Sequence, residues 1–306
     1  MKVAEMFTTN AHQSQRVRND EIDLFGLTHP GKQRTENEDH FLACTVHPEV
    51  IVHATSLPNV DRLPLRGEWR ATIALVADGV GGNADGGQAS RIATETIMRY
   101  VSSSLQSYHD AGSMEEDVFL ESLRGAVMEA HQAVRAEAKQ RGGPKPMATT
   151  LTLGIVVWPW LYVVQLGDSR AYYYWDGTLT QVTRDQTVAQ ELVDQGVLPR
   201  DRLASSPYRH VLSRAVGGDA EEAIPEVTRV RIDRFGSVLL FCSDGLTKHV
   251  SDEEIARKIA DNPRSEDVCK SLLDLALDRG GSDNITIVVV RRRIATPPTG
   301  TAAVLG

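Results

Sequence analysis

Cysteine is scarce: three residues in 306, Cys44, Cys242 and Cys269, odd in number and nowhere spaced as Cys-x-x-Cys. That excludes a disulfide framework and a cysteine-built zinc site; Cys242, inside an apolar run, reads as a buried thiol. No uninterrupted apolar stretch approaches the roughly 18–20 residues of a membrane span. The N-terminus carries no apolar signal core, so the expectation is a cytoplasmic protein with no membrane span. Positive charge is in deficit: Lys and Arg number 33 against 41 Asp and Glu, a net charge of −8. A nucleic-acid binder presents a basic face, so nucleic acid is not expected as a partner. The basic run Arg291–Arg293 follows a strand-like segment and reads as a solvated strand end. Three reaction motifs are missing as well. There is no Gly-x-x-x-x-Gly-Lys-[Ser/Thr] phosphate loop and no Gly-x-Ser-x-Gly nucleophile elbow. There is no His-Glu-x-x-His either, which leaves His29, His40, His47 and His53 as solvated or hydrogen-bonded side chains rather than ligands.

What is present is ordinary for a soluble globular chain, with 41% hydrophobic and 24% charged residues. The length fits one large domain or two small ones. Residues 1–20 are polar without steady periodicity and read as a flexible lead-in. Residues 21–293 carry the periodic pattern, and 294–306, rich in Pro, Gly, Thr and Ala, read as a disordered tail. Strands are expected at Ile22–Thr28, His40–Val46 and Trp69–Ala77. The Pro-punctuated segment 47–70 is an extended insertion with a short strand at Val50–His53. Helical stripes follow. One runs through Ala89, Ile92, Ala93, Ile97, Tyr100, Val101 and Leu105. The other runs from a Ser113 cap through Phe119, Leu123, Ala126, Val127, Ala130 and Val134, ending near Arg141. Strands return at Thr149–Trp158, Leu161–Leu166, Arg170–Trp175 and, after the Asp176-Gly177 turn, Leu179–Val182. Residues 183–223 hold a short helix at Val188–Gln195 and long irregular stretches, the composition of a mobile cover over a site. Strands at Glu226–Ile232 and Ser237–Cys242, helices from Ser251 to Asp261 and Pro263 to Arg279, and a strand at Ile285–Val290 complete the pattern. Successive strands joined by tight turns favour antiparallel sheet over repeated βαβ units.

The stretch Leu75–Ser90 organises the rest. An apolar strand ends on Asp78-Gly79, four further glycines follow within a few residues, and a helix begins. Other acids repeat the placement: Glu38-Asp39, Asp168, Asp244 and Asp283 each sit at a strand edge beside Gly, Ser or Asn. Such an oxygen-only set suits hard ions such as Mg2+ and Mn2+. Carboxylates around two ions can neutralise a phosphate and activate a water for in-line displacement, and Arg34 is placed to grip the phosphate in a fork.

Six segments in order carry a family resemblance: Gly31–Asp39 with Arg34, Asn37 and Glu38; Ala77–Gly82; Met147–Leu151; Gly167–Arg170; Cys242–Thr247; and Gly281–Thr286. Over roughly Ile22–Arg292 the chain resembles the metal-dependent serine/threonine protein phosphatases of type 2C, in their bacterial form. That resemblance implies an α+β fold: a four-layer αββα sandwich of two antiparallel sheets flanked by helices, with a binuclear Mn2+ or Mg2+ site at one end. Asp78 would bridge both ions, and Asp244 and Asp283 would complete one ion's shell. Glu38 and the Gly79 carbonyl would serve the other, with Asp39 close by through water. Arg34 would bind the substrate phosphate, and Asp168 and Asn284 would support the site, Asp168 also touching a third ion. Residues 183–223 fall where the family carries its flap. The implied reaction is hydrolysis of phosphoserine and phosphothreonine in proteins, with a serine/threonine kinase or its substrates among the partners and a monomer as the acting species.

The chain departs from the family pattern at four places. Val80 stands where some members have a histidine that protonates the leaving group. Lys145-Pro146 replace an Asp before Met147, and Ala148 replaces a Gly, so a third ion is expected to bind weakly. Asp185-Gln186 replaces an Asp-His pair, and the 47–70 insertion is longer than the usual hairpin. Two other readings compete: a non-catalytic phosphatase-like binding module, and a phosphoesterase for small molecules. The retained ligand set argues against the first, and a comparison of phosphopeptides with nucleotides and sugar phosphates discriminates the second.

Overall fold

Seven consecutive residues, Ala71–Ala77, are buried, and period-2 alternation explains why one strand needs two apolar faces. Ala71, Ile73, Leu75 and Ala77 face a helical layer, while Ala74 and Val76 face a second sheet. The structure, a computed structural model, describes residues 21–47, 71–80, 84–110, 116–142 and 147–293. In chain order the strands and helices are β1 (Ile22–His29), β2 (His40–Val46), β3 (Ala71–Ala77), β4 (Gly79–Val80), α1 (Ala84–Asp110), α2 (Glu116–Arg141), β5 (Ala148–Thr149), β6 (Leu151–Val157), β7 (Trp160–Leu166), β8 (Arg170–Trp175), β9 (Thr178–Gln181), α3 (Val188–Asp194), β10 (Val216–Gly217), β11 (Glu226–Arg231), β12 (Val238–Cys242), α4 (Asp244–Thr247), α5 (Asp252–Asp261), α6 (Ser265–Asp278) and β13 (Ile285–Arg292). The lead-in, the insertion with its Val50–His53 strand, the Ser113 cap and the tail lie outside the described residues.

Two five-stranded sheets, ordered β1-β13-β12-β8-β9 and β11-β7-β6-β3-β2, are antiparallel throughout. Between them lie Ala74, Val76, Val163, Leu239, Phe241 and Val288. The outer face of the second sheet packs on α1 and α2 through Ile97, Phe119, Leu123 and Val127. The outer face of the first packs on α5 and α6 through Ile255, Ile259, Val268 and Leu272. The expected αββα sandwich is therefore the observed one. α1, over Ala89, Ala93 and Ile97, and α2 follow their apolar stripes, and α5 starts on the capping box formed by Ser251 and Glu254.

Three local expectations need correction. Arg291–Arg293 is not a solvated strand end. Arg292 is 5% exposed; its guanidinium pairs with Glu21 at 3.3 Å and stacks over Trp158 at 3.9 Å and Phe235 at 4.2 Å. A planar, weakly hydrated cation tolerates such a slot where an ammonium would not. Arg291 donates to the carbonyls of Ile259 and Asn262, so only Arg293 extends to the surface, where it pairs with Asp23. The strand expected at Thr149–Trp158 is broken at Thr150. There the backbone leaves β5, which joins β4 and β10 in a three-stranded sheet, and re-enters as β6. The helix expected after the glycines, with its stripe from Ala89, begins earlier, at Ala84, and takes Gly86 and Gly87 into its first turn. His29, His40 and His47 are hydrogen-bonded as expected, to Gly31 N–H, Ser90 and Thr45. Among the described residues, no helix is long and apolar enough to cross a membrane.

Candidate functional site

Strand register brings the acids together. His40 at the start of β2 lies opposite Ala77 at the end of β3, which sets Asp39 beside Asp78. Cys242 at the end of β12 lies opposite Arg170 and Ile287, which sets Asp244 beside Asp168 on one flank and Asp283 on the other. One end of the sandwich thus collects every predicted carboxylate. A cleft of about 220 Å3 there is lined by Arg34, Glu38, Asp78, Gly79, Asp168, His210, Asp244, Lys248 and Asp283, with Val80 and Thr150. Asp78 is central: burial raises its pKa well above the usual carboxylate range, and the charges of Asp39, Asp244, Asp168 and Asp283 push it further. Thr150 fixes its backbone, donating N–H to the Asp78 carbonyl at 2.8 Å and accepting the Asp78 N–H on Oγ1 at 2.9 Å. The break between β5 and β6 serves that clasp.

Asp39 and Asp168 show the same pressure. Burial raises Asp39 to about 6, against hydrogen bonds from Thr286 and Ser243, both of which donate to Oδ2 at 2.7 Å. Its other oxygen, Oδ1, is buried with no hydrogen-bond partner. Asp168 rises to about 7, first through burial and then through Asp244 and Asp185. Asp283 goes the other way: burial raises it, but Lys248 and Arg34 outweigh burial and hold it low. Arg34 sends Nε to Oδ1 at 2.8 Å and Nη2 to Oδ2 at 3.1 Å, while the Lys248 ammonium spans Asp244 and Asp283.

The loop before β2 is held by Asn284. Its Oδ1 accepts from Glu38 N–H at 2.8 Å, and its Nδ2 donates to the Pro30 and Glu36 carbonyls at 3.0 and 2.9 Å. On the other side, Ser90 Oγ of α1 donates to the Glu38 carbonyl at 2.5 Å. The glycines after Asp78 let backbones pack closely beside Glu38. A Cβ on Gly86 would come within 2.8 Å of Glu38 Oε1, and one on Gly79 would strike the Gly86 backbone. They let α1 begin in contact with both ends of the carboxylate cluster.

Residues 183–223 are rooted beside Asp168. Arg170 forks onto Asp185 at 2.8 and 2.7 Å, and Gln186 exchanges hydrogen bonds with the Gly167 backbone through its N–H and its Oε1. The amide that replaces the family's histidine thereby braces the residue next to Asp168. From this root the segment carries His210 and Leu212 into the cleft. His210 Nδ1 lies 3.9 Å from Asp244 Oδ2, and its ligand atom, with those of Asp168 and Asp244, fits within 4.8 Å.

All predicted side chains are gathered here except Asn284, which acts from behind as a clamp. Sequence reasoning missed His210 and Lys248. No local pattern marks His210. Lys248 had a signal, four residues after Asp244 on a helical turn, the spacing of a side-chain ion pair.

The donor set fits divalent cations. Five buried or half-buried aspartates share one end; burial, and then the charge of neighbouring aspartates, raises Asp39, Asp78 and Asp168, and one buried Asp39 oxygen has no hydrogen-bond partner. Oxygen ligands of this kind suit Mg2+ and Mn2+.

Comparisons with known proteins agree. The protein phosphatase 2C family model matches residues 53–274, and the chain belongs to that family. It is 36% identical over 219 residues to the serine/threonine protein phosphatase PstP of Mycobacterium tuberculosis strain ATCC 25618 / H37Rv, covering 72% of this chain and 40% of that protein. It is 28% identical over 229 residues to the serine/threonine phosphatase stp of Listeria welshimeri, covering 72% of this chain and 85% of that protein. Among solved structures, M. tuberculosis PstP/Ppp superposes with a TM-score of 0.70 at 30% identity, over 89% of this chain and 99% of that one. The catalytic domain of PstP in complex with two manganese ions gives 0.67 at 30% identity, with the same coverage. The chain spans about 40% of the length of the M. tuberculosis relatives it matches.

Proposed function

We propose that this chain hydrolyses phosphoserine and phosphothreonine in proteins, with two Mn2+ or Mg2+ ions and a third bound more weakly. The observation that carries the reading is Asp78, ringed by Asp39, Asp168, Asp244 and Asp283 in a cleft that also presents Arg34. Asp78 would hold both ions; Asp244 and Asp283 would complete one set of ligands, Glu38 and the Gly79 carbonyl the other, with Asp39 close by through water. Bound there, the ions supply Lewis-acid charge and an activated water. The chain's own groups do the rest. Arg34, 43% exposed on its side chain, turns its fork from Asp283 to the substrate phosphate. Asp168 and Asn284 hold the frame. Val80, 37% exposed at the rim, offers no proton, so the leaving alkoxide takes its proton from elsewhere in the cleft. Residues 183–223 act as a cover hinged at Arg170 and Asp185. Phosphorylated proteins, a serine/threonine kinase or its substrates among them, are the partners, and a cytoplasmic monomer is the acting form. The names of the M. tuberculosis and Listeria relatives, serine/threonine phosphatases, support this reading.

The test is phosphate release by the purified full chain from a phosphothreonine peptide in Mn2+, beside nucleotides and sugar phosphates at equal concentration. Wild type should favour the peptide, and Asp78→Asn should lose turnover while keeping a cooperative melt. Turnover unchanged in Asp78→Asn refutes the bridging role, and preference for the small phosphates refutes the substrate class.

A further inference from the structure

The two carboxylates assigned to one ion already share a cation of the chain's own. Lys248 Nζ lies 2.8 Å from Asp244 Oδ1, 2.7 Å from Asp244 Oδ2 and 2.7 Å from Asp283 Oδ2. Both oxygens of Asp283 are taken, since Arg34 holds Oδ1 and also reaches Oδ2. Lys248 closes the turn of α4 that Asp244 opens, its N–H donating to the Asp244 carbonyl at 2.8 Å. Its backbone is therefore fixed relative to Asp244, and only the flexible four-carbon stem can move. An ion such as Mg2+ needs these same oxygens at about 2.0–2.1 Å, and an ammonium in hydrogen-bonding contact with all three leaves them no room for it. There is somewhere for the ammonium to go. Beside the carboxylate cleft lies a second, of about 650 Å3, lined by Lys248 together with Asp168, Asp185, Thr247 and His249. The Lys248 charge already acts on Asp168.

We propose that Lys248 is a built-in counter-ion that occupies the Asp244–Asp283 pair in the metal-free protein and must swing toward Asp168 for a divalent ion to bind. The inference rests on the metal reading above and adds a residue to it. Lys248 offsets the repulsion between Asp244 and Asp283 and, for the same reason, weakens metal binding, because each loading event breaks a charge-assisted clamp before making the new bonds. It touches no reacting atom in this role; it is a positioning residue that sets the metal affinity of its two neighbours.

The experiment is calorimetric titration of Mn2+ into the chelator-treated, desalted full chain, with parallel melting curves with and without Mn2+, for wild type, Lys248→Met and Lys248→Arg. Lys248→Met should bind Mn2+ about tenfold more tightly, one power of ten in the dissociation constant. Its metal-free melting temperature should fall and its Mn2+-induced rise should exceed that of wild type. Lys248→Arg, which keeps the charge, should stay near wild type in all three measures. A metal-saturated melt of Lys248→Met equal to that of wild type shows that the variant folds; should it not fold, Lys248→Gln takes its place. Equal or weaker Mn2+ binding by the neutral variant, with wild type binding normally, overturns the role of Lys248 alone. Failure of wild type and both variants to bind Mn2+ overturns the metal reading, and this inference with it.

Discussion

Asp39 and Asp168 titrate where most carboxylates do not, at about 6 and about 7. Each is raised by burial first, so in the folded, metal-free chain it keeps its proton to higher pH than in the unfolded chain. Between the unfolded value near 4 and these raised values the folded state binds more protons, and stability falls as pH rises. Asp78, pushed the same way, extends the decline upward. Asp283 has the opposite sign, but its contribution is lost only as pH falls below the ordinary carboxylate value, outside this window. His40, His131 and His210 are lowered by burial and oppose the trend only below about pH 6.5. Chelator-treated protein should therefore melt at progressively lower temperature from about pH 6.5 to 8, and Mn2+ should remove most of the slope by satisfying the ionised forms. Asp168→Asn should flatten the metal-free curve. A curve for the chelator-treated wild type that is flat or rising over this range would contradict the repulsive cluster.

The loop Pro30–Asp39 and the first turn of α1 show how elements, rather than single ligands, shape the site. Asn284→Ala removes three hydrogen bonds that tie the loop to the start of β13. Leaving partly buried backbone groups unpaired costs about 1–3 kcal/mol. The variant should lose that stability by denaturant unfolding and, because Glu38 loses its anchor, should bind Mn2+ more weakly as well. Gly86→Ala tests the opposite face. A methyl group 2.8 Å from Glu38 Oε1 and 3.1 Å from the Gly79 backbone must displace one of them. Overpacking of this sort costs about 1–3 kcal/mol, and the readout is weaker Mn2+ binding beside a native circular dichroism spectrum. These elements also mark how far the sequence could be read. Asp78, Asp244 and Asp283 are legible because each sits just beyond one end of an apolar strand, next to a glycine or asparagine, a pattern carried within five or six residues. The break at Thr150 was not legible: its cause is a hydrogen-bonded clasp on a residue 72 positions away. Arg292 looked solvated for the same kind of reason, since Glu21, Trp158 and Phe235 meet it only after the sheets have closed.

At the scale of the whole molecule, the site exists because two sheets are held in one relation. Glu38, Asp39 and Asp78 belong to the sheet containing β2 and β3, whereas Asp244 and Asp283 belong to the sheet containing β12 and β13. A change in sheet spacing or twist would separate the two halves of the ligand set even if every ligand kept its rotamer. One close contact between the sheets is made by Phe241 of β12, fully buried between them. Its ring lies against Gly154 of β6 so closely that a Cβ at position 154 would overlap it. Gly154 is thus a socket, and the bare backbone there lets the sheets approach around an aromatic ring. Phe241→Ala empties the socket at a cost of about 3–5 kcal/mol, a large share of the roughly 5–15 kcal/mol that holds a typical domain folded. Phe241→Leu keeps much of the volume and should lose less. Gly154→Ala should destabilise by forcing the ring aside, and combining it with Phe241→Leu should restore part of the loss, because the smaller side chain leaves room for the added methyl. Melting temperatures of the four variants measure that coupling, and Mn2+ titration of the same set reads whether the halves of the site move with the sheets. If Phe241→Leu with Gly154→Ala is no more stable than the sum of the single losses, the ring and its socket do not set the spacing, and the site's two halves are held by its own polar bonds instead.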